Sequence, residues 1–345
     1  MVNYIITLLI NYENQSTMAN FSLLNVVLSR RKIPATLPLI LFVLFVGIYR
    51  PLSASTHPMP PADVDLIGLT TTIKALTEDT LLDIARQFNL GQEEILLANP
   101  NVDRWRPDRG TEVVIPGRFI LPRVERKGVV LNLPEMRLYY FYVDDLEKEP
   151  MVKTYPVSVG RMDWVTPLGK ARIVRKDENP SWYPPESLRL EAIAAGNPLP
   201  DFVPPGPDNP LGAYALRLSI PGYLIHSTNK PYGVGMRVTH GCVRMYPEDI
   251  EELFPIVPVN TMVQLVNQPI KLGWQNETLF LEVHPLMDED LVKIQDLQST
   301  AYTMIFEEIE NMDAILDIKT IKRALQERNG IPVPITSFIS DGFEF

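Results

Sequence analysis

The sequence predicts a mainly β protein with a β-sandwich-like domain, preceded by a small α+β module and followed by a helical C-terminal region. Three observations support this prediction. Short apolar segments separated by turn residues recur over residues 127–268, a pattern typical of a sandwich or barrel. Residues 63–122 follow the order strand, helix, helix and strand. Within the C-terminal region 274–345, the stretch 291–327 carries apolar side chains near helical spacing. A chain of 345 residues is long enough for two or three such domains.

The first 55 residues are predicted to be an N-terminal extension with an export signal. Three basic residues at 30–32 precede an apolar run at 37–48, and small residues follow at 53–55. This order is typical of a signal peptide, and the run is shorter than the roughly 20 residues that cross a bilayer. We therefore expect export to the periplasm, with an uncleaved membrane anchor as the alternative.

The net charge and the cysteine content limit the classes of function that the chain can have. The net charge is −10, whereas nucleic-acid binding needs a clustered basic surface, so we expect no nucleic-acid partner. The single cysteine, Cys242, excludes an intramolecular disulfide, and His226 and His240 both lie within sixteen residues of it. Oxidising compartments tend to pair or lose cysteines, which favours a chemical role for a thiol kept by an exported protein.

The module at 63–122 begins with an alternating segment, Thr72–Leu76, followed by a helix that Asp79 or Thr80 can cap. A second short helix ends at Asn99-Pro100, and a strand at 113–115 closes the unit. The stretch resembles a LysM module in its Asp-Thr-Leu at the first helix and its Asn-Pro after the second. The resemblance implies binding to glycan strands of peptidoglycan; the alternative is a small spacer that binds nothing.

The central region predicts seven strands, and a proline-rich segment interrupts them. The strands are predicted at 129–133, 136–142, 153–159, 171–175, 215–219, 224–225 and 261–266. Between Asn179 and Pro210 lie nine prolines, with Trp182 and Tyr183 near the start. Such a segment is too stiff and too poor in donors for a central strand. We expect a surface excursion that is either a lid over a site or a passive loop.

The residues around Cys242 carry the candidate chemistry. A free thiol has a pKa of about 8.5 and needs a base or a positive neighbour to become a useful nucleophile at neutral pH. His226 ends a predicted strand that can lie beside the strand of Cys242, and a backbone carbonyl such as that of Ser227 can fix its tautomer. Gly241 permits a close turn, so that amides at Gly241 and Cys242 can face a developing oxyanion.

The spacing of these residues resembles a known family. His226 is followed, after twelve residues, by Thr239-His240-Gly241-Cys242-Val243-Arg244, which is similar to the signature of the L,D-transpeptidase catalytic domain. Matching pieces elsewhere include Thr166-Pro-Leu-Gly169 and Asn209-Pro-Leu-Gly212. The resemblance covers residues 127–268 and implies a catalytic domain with those bounds.

The resemblance also implies roles for the site residues. It makes Cys242 the nucleophile, His226 the general base and the Ser227 carbonyl its orienting partner, with His240 lining the site and Gly241 contributing to the oxyanion hole. We assign substrate binding to five further residues, Arg244, Tyr232, Thr239, Trp182 and Tyr183. Arg244 is either a carboxylate contact or a structural cation, and His240 is either a site residue or a packing residue.

The implied reaction is acyl transfer from a tetrapeptide stem of peptidoglycan, with release of D-alanine. The acceptor is then the diaminopimelate amine of another stem or a lysine of an outer-membrane lipoprotein, and carbapenems are expected covalent inhibitors. No cofactor and no metal are implied. Three alternatives stay open: transfer of the acyl group to water by a carboxypeptidase, a zinc site built from His226, His240 and Cys242, and a non-catalytic wall-binding protein.

Overall fold

The computed structural model describes residues 55–338, with gaps at 145, 147, 162–163, 292–295 and 311. The predicted N-terminal extension and export signal at 1–55 lie outside the described residues except for Ser55. Within the described part of the chain, no helix has both the length and the apolar character that crossing a membrane requires.

The small module has the predicted order of strand, two helices and strand. Its elements are β2 (Leu66–Lys74), α1 (Leu81–Gln87), α2 (Gln92–Ala98) and β3 (Glu112–Ile120). Strands β2 and β3 pair antiparallel along their whole length, and Thr80 caps α1 in a capping box with Asp83. The buried amide of Asn99 bonds the backbone of Val114 in both directions, at 2.7 and 2.8 Å. Asn99 therefore ties the end of the second helix to the closing strand.

The central region forms a barrel. Its strands are β1 (Ser55–Pro58), β4 (Gly128–Asn132), β5 (Arg137–Val143), β6 (Pro150–Gly160), β7 (Gly169–Glu178), β8 (Tyr214–Leu218), β9 (Leu224–His226), β10 (Arg237–Thr239), β11 (Val243–Met245) and β12 (Met262–Val266). Helix α4 (Pro247–Ile256) lies between β11 and β12 in the chain. The path runs β6-β11-β9-β8-β7-β12-β4-β5 and closes because β5 also pairs with β6. The mainly β prediction is confirmed, and the sandwich-like arrangement takes the form of a closed barrel. Closure leaves no exposed edge along this path.

Strands β4 and β5 are buried on both faces. Val129, Leu131 and Leu138 point into the barrel, whereas the alternate residues Val130 and Tyr139 pack against the small module, as the two-residue period of a strand requires. Val152 on β6 joins this outer cluster. The outside of the barrel at this place is therefore an interior surface of the protein.

A buried ion pair fixes the module on the barrel. The fully buried guanidinium of Arg137 on β5 bonds Glu94 on α2 through Nε at 2.9 Å and Nη2 at 2.7 Å. The same side chain donates to Thr154 and to the Asn89 carbonyl and lies 4.1 Å from the ring centroid of Phe119. These contacts satisfy a charge that would otherwise be costly to bury.

The C-terminal region contains the predicted helices together with strands that the sequence did not indicate. Its elements are β13 (Ile270–Gln275), β14 (Thr278–Val283), α5 (Leu297–Glu308), β15 (Ala314–Leu316), α6 (Ile318–Glu327), β16 (Val333–Pro334) and β17 (Thr336–Phe338). Strands β13, β14 and β16 form one sheet, and β15 pairs with β17. The helices pack on the first sheet around a separate apolar core.

All three parts meet at a buried polar joint. The ammonium of Lys271 on β13 contacts Glu135 of the barrel at 2.9 Å and Glu282 on β14 at 2.6 Å. Glu282 also accepts the backbone amide of Ile120 in the module at 2.6 Å and contacts His284 at 2.6 Å. Every charge in this joint has an opposite partner, so the three parts form one connected structure.

The proline-rich segment is an excursion that carries its own helix, α3 (Glu186–Ala194). The buried side-chain amide of Asn209 donates to the carbonyls of Pro180 and Pro204 at 2.8 and 3.0 Å. Trp182 and Val203 pair through a backbone bridge. These bonds hold the two ends of the segment together and leave α3 projecting over the barrel, with none of its residues buried.

We predict that Glu94→Gln lowers the free energy of unfolding by about 3 kcal/mol, because it leaves the Arg137 charge buried beside a neutral partner. Urea unfolding at pH 7 measures the change. Asp201→Asn is the matched control, since it breaks an ion pair with Arg189 in which Asp201 is 91% exposed, and we expect less than about 1 kcal/mol there. Equal losses in the two variants would contradict the structural role of the buried pair.

Candidate active site

Cys242 lies immediately before β11, the strand between β6 and β9 in the barrel. Strands β11 and β9 run parallel, with Arg244 opposite His226. The histidine therefore ends the strand beside the one that follows the cysteine, as the sequence predicted. Both side chains line one cavity of about 400 Å³.

Gly241 shapes the turn into the cysteine. Its φ of +93° lies in the region that favours glycine, and a Cβ at this position would lie 2.7 Å from the ring of Tyr223. A side chain here would collide with the cavity wall and strain the backbone. The absence of a side chain at Gly241 therefore allows the backbone next to the thiol to lie close to Tyr223 in the cavity wall.

Two buried hydroxyl groups hold the backbone of this turn. The Thr166 hydroxyl donates to the Gly241 carbonyl at 2.9 Å and accepts the Gly160 amide at 2.9 Å. The Thr239 hydroxyl donates to the Cys242 carbonyl at 2.5 Å. Thr239 was predicted to bind substrate, but its hydroxyl is engaged in positioning the nucleophile's backbone.

The tautomer of His226 follows from its hydrogen bond. Its Nδ1 lies 2.6 Å from the Ser227 carbonyl oxygen, which can only accept, so Nδ1 carries the proton and Nε2 has a free lone pair. His226 is almost fully buried. Burial, followed by the nearby charge of Arg244, lowers its pKa to about 3, so the imidazole is neutral at pH 7.

Cys242 is a partly exposed free thiol, with Sγ 3.6 Å from the Gly222 carbonyl oxygen. Desolvation raises the pKa of the thiol, although Arg244 and Arg217 act in the opposite direction. The resting site therefore holds a thiol and a neutral imidazole. Among the described residues the thiol bonds the Gly222 carbonyl and not His226, so the thiol must turn toward the imidazole before a proton can pass from sulfur to nitrogen.

The cavity has an apolar wall and a cationic end. Trp164, Trp182, Leu188 and Tyr223 contribute apolar surface, among other lining residues. Burial lowers the pKa of Arg244, and its Nε has no hydrogen-bond partner among the described residues. A buried guanidinium whose Nε has no partner is suited to a carboxylate ligand.

Glu191 connects the proline-rich segment to the catalytic turn. From α3 its carboxylate contacts His240 Nε2 at 3.0 Å and Arg161 at 2.5 Å. These hydrogen bonds, that of Arg161 first, hold the pKa of Glu191 below its ordinary value. His240 also packs edge-on against Trp164, with ring centroids 5.3 Å apart. Through these contacts His240 holds the proline-rich segment beside the cavity.

The structure brings most of the proposed site residues to one cavity. The cavity is lined by His226, Cys242, His240, Thr239, Arg244, Trp182 and Tyr183. Three predicted site residues do not line it: Ser227 and Gly241, which adjoin His226 and Cys242 in the chain, and Tyr232, which is 63% exposed because the loop after His226 carries it away. Sequence reasoning missed Glu191 and Tyr223, since neither belongs to a local motif and each reaches the site only through the fold.

The geometry does not favour the zinc alternative. Among the described residues, the one group of three or more potential ligands within 4.8 Å of one another is Glu135, Glu282 and His284. The Lys271 ammonium contacts both of those carboxylates, so a cationic side chain already occupies the place where a metal ion would pair with them. His226, His240 and Cys242 do not form such a group in the described part of the chain.

Comparison with known proteins identifies the family. The family model described as the L,D-transpeptidase catalytic domain matches residues 126–265. The probable L,D-transpeptidase ErfK/SrfK of Escherichia coli K12 is 37% identical over 82% of this chain and 92% of its own length. The probable L,D-transpeptidase YcfS of the same strain is 34% identical over 85% of this chain and 92% of its own length.

A comparison of solved structures adds one finding. L,D-transpeptidase 3 from Mycobacterium tuberculosis is 19% identical, over 47% of this chain and 73% of that chain, with a TM-score of 0.30. The family assignment rests on the sequence relatives. The chain belongs to the L,D-transpeptidase family.

Proposed function

We propose that the protein transfers acyl groups of peptidoglycan stem peptides through a thioester at Cys242. The observation that carries this proposal is the arrangement of Cys242 and His226 at one cavity, with the imidazole proton held on Nδ1 by Ser227. A neutral imidazole with a free Nε2 is suited to accept the thiol proton as sulfur attacks. Proton transfer during attack is required because the resting thiol is neutral.

The proposed first half-reaction releases D-alanine. Sγ of Cys242 attacks the carbonyl at the L-centre of diaminopimelate in a tetrapeptide stem, and His226 takes the thiol proton. The carbon–sulfur bond forms, the bond to the amine of D-alanine breaks, and imidazolium returns the proton to that amine. Amides of the Gly241 turn are the proposed donors to the oxyanion, a role whose loss typically costs about 10²–10³ in rate.

The second half-reaction regenerates the thiol. An acceptor amine gives its proton to His226 and attacks the thioester, which forms an amide and expels the sulfur as thiolate; imidazolium then reprotonates it. The proposed acceptor is diaminopimelate of another stem or a lysine of an outer-membrane lipoprotein. Water as the acceptor would make the enzyme a carboxypeptidase. Product analysis with and without an added amine acceptor distinguishes these possibilities.

The cavity supports specific substrate contacts. We propose that the Arg244 guanidinium, whose Nε has no hydrogen-bond partner among the described residues, binds a carboxylate of the stem peptide. Trp182 and Tyr223 are proposed to contact the apolar parts of that peptide. Helix α3 would keep water away from the thioester while Glu191 holds His240 and Arg161. In this mechanism His240 positions the proline-rich segment and moves no proton.

We propose that the whole protein acts in the periplasm after export. We also propose that the small module binds glycan strands. Leu76 and Trp105 are 57% and 64% exposed and lie in the two loops that flank the helices. The backbone amide of Leu81 donates to the Arg104 carbonyl at 2.9 Å, which joins these loops. An exposed indole can stack on a sugar ring.

We expect Cys242 to be acylated by a disaccharide-tetrapeptide, with release of D-alanine, and separately by a carbapenem. Intact-protein mass spectrometry and peptide mapping measure the adduct. Cys242→Ala should be unmodified yet folded, since a small side chain at this partly exposed position costs little packing. A folded, reduced wild-type protein that acquires no adduct would rule out the thioester mechanism.

We predict that alkylation of Cys242 by iodoacetamide rises with pH and reaches its midpoint above that of the urea-unfolded chain. Burial raises the pKa of the thiol, so a smaller fraction is thiolate at any given pH in the folded protein. Mass spectrometry from pH 6 upward, at about one-unit steps, gives both profiles. A folded midpoint below the unfolded one would indicate a resting thiolate–imidazolium pair instead.

We predict that Trp105→Ala weakens co-sedimentation with purified peptidoglycan about tenfold, because a stacked aromatic ring contributes roughly 1–3 kcal/mol. The rate of Cys242 acylation by a carbapenem should stay unchanged, since Trp105 does not line the cavity. Leu146→Ala, at a residue 93% exposed on the barrel, is the control for loss of an exposed apolar side chain. Unchanged co-sedimentation would favour a module that only acts as a spacer.

A further inference from the structure

We infer that the small module has a second role: helix α2 fixes the loop 227–236 that joins His226 to β10, which makes Gly91 and Gly235 positioning residues for Cys242 chemistry. This inference rests on the proposed function, because it concerns the same thiol. It goes beyond that function by placing part of the catalytic architecture outside the matched domain, which begins at residue 126.

Two backbone hydrogen bonds join the module to the loop. The amides of Gln92 and Glu93 donate to the carbonyls of Val234 and Gly235 at 3.0 and 3.1 Å. Both amides belong to the first turn of α2, where the helix itself offers no carbonyl acceptor. The loop therefore completes the hydrogen bonding of the helix, and the helix fixes two successive peptide groups of the loop.

The contact admits no side chain at either glycine. A Cβ at Gly235 would lie 2.2 Å from Gly91 Cα and 2.3 Å from the Gln92 nitrogen. A Cβ at Gly91 would lie 2.7 Å from Gly235 Cα. Gly235 also has a φ of +80°, whereas Gly91 has an ordinary extended conformation with φ −79°. Substitution at Gly91 therefore tests the contact alone, without backbone strain at the substituted residue.

The other side of the loop leads directly to the nucleophile. Ser158 on β6 donates to the Gly233 carbonyl at 2.6 Å, so the loop lies between the barrel and α2. The loop continues into β10, which pairs with β6 and ends at Thr239. The Thr239 hydroxyl holds the Cys242 carbonyl. A displacement at Gly235 is therefore passed through one short strand to the backbone of Cys242.

The same edge of the module also holds the chain after the cysteine. The Tyr246 hydroxyl donates to the Leu90 carbonyl at 3.1 Å, and Arg86 binds Glu248 through two hydrogen bonds of 2.7 and 2.9 Å. Residues 86–93 thus contact the chain on both sides of Cys242. An interface that only attached the module to the barrel would not need to contact both the segment before Cys242 and the segment after it.

The test uses the full chain with Gly91→Ala and Gly235→Ala, and Gly110→Ala as the matched control. Gly110 lies in the same module with φ +86°, and a Cβ there has no described atom within 4 Å, so it reproduces the strain of a positive φ without the contact. We expect Gly91→Ala to slow carbapenem acylation of Cys242 about 10- to 100-fold, as displacements near 1 Å do in active sites. Gly110→Ala should react at the wild-type rate.

Further measurements separate positioning from a purely structural role. For the tetrapeptide donor, Gly91→Ala should lower kcat while KM stays within about twofold, and the pH midpoint of Cys242 alkylation should move from that of the wild type. Binding to peptidoglycan should be unchanged. Folded Gly91→Ala and Gly235→Ala proteins with wild-type acylation rates and wild-type alkylation profiles would overturn the inference, whatever their stability.

Two outcomes need a second measurement. If both alanine variants fail to fold, the Glu248→Gln variant tests the inference instead. This substitution weakens the contact between Arg86 and residue 248 without adding volume. An unchanged rate of Cys242 acylation would then overturn the inference. Should the wild-type protein not be acylated at all, the proposed function fails by itself. Iodoacetamide alkylation of Cys242, which requires no transpeptidase activity, then still reports whether Gly91→Ala displaces the thiol.

Discussion

The buried pair of Arg137 and Glu94 is the interaction on which the rest of the structure depends. It joins a barrel strand to helix α2, with the Arg137 side chain fully buried and that of Glu94 12% exposed, so the Arg137 charge cannot be left without its partner at low cost. The orientation of the module follows from it, and the loop between His226 and β10 follows from that orientation. The buried polar joint around Lys271 connects the C-terminal region to the barrel in the same way, through buried ion pairs.

The active site is electrically neutral at its reacting centre and positive at its edge. Burial keeps both the thiol and the imidazole uncharged, while Arg244 stays close to both. A neutral pair avoids the desolvation of a separated thiolate and imidazolium. Charge then develops only as sulfur attacks, at the place where the backbone of Gly241 approaches the cavity.

Local sequence patterns predicted most strands, both module helices and the residues around Cys242, because each of these depends on neighbours a few positions away. The partner carbonyl of His226 could be anticipated since Ser227 is the adjacent residue. Three features could not be anticipated. Barrel closure depends on β5 pairing with β6, Glu191 meets His240 across 49 residues of chain, and Tyr232 is turned outward by a loop whose course the module sets. Each depends on contacts between distant parts of the chain.

The outward faces of β4 and β5 have a consequence for how such a protein can evolve. Val130, Tyr139 and Val152 form an apolar surface on which the module packs. A gene rearrangement that exchanged this module for an unrelated one would expose that surface to water and to other chains. The module and the barrel therefore cannot be exchanged independently of each other. A substitution on one side of their interface constrains which substitutions the other side can accept.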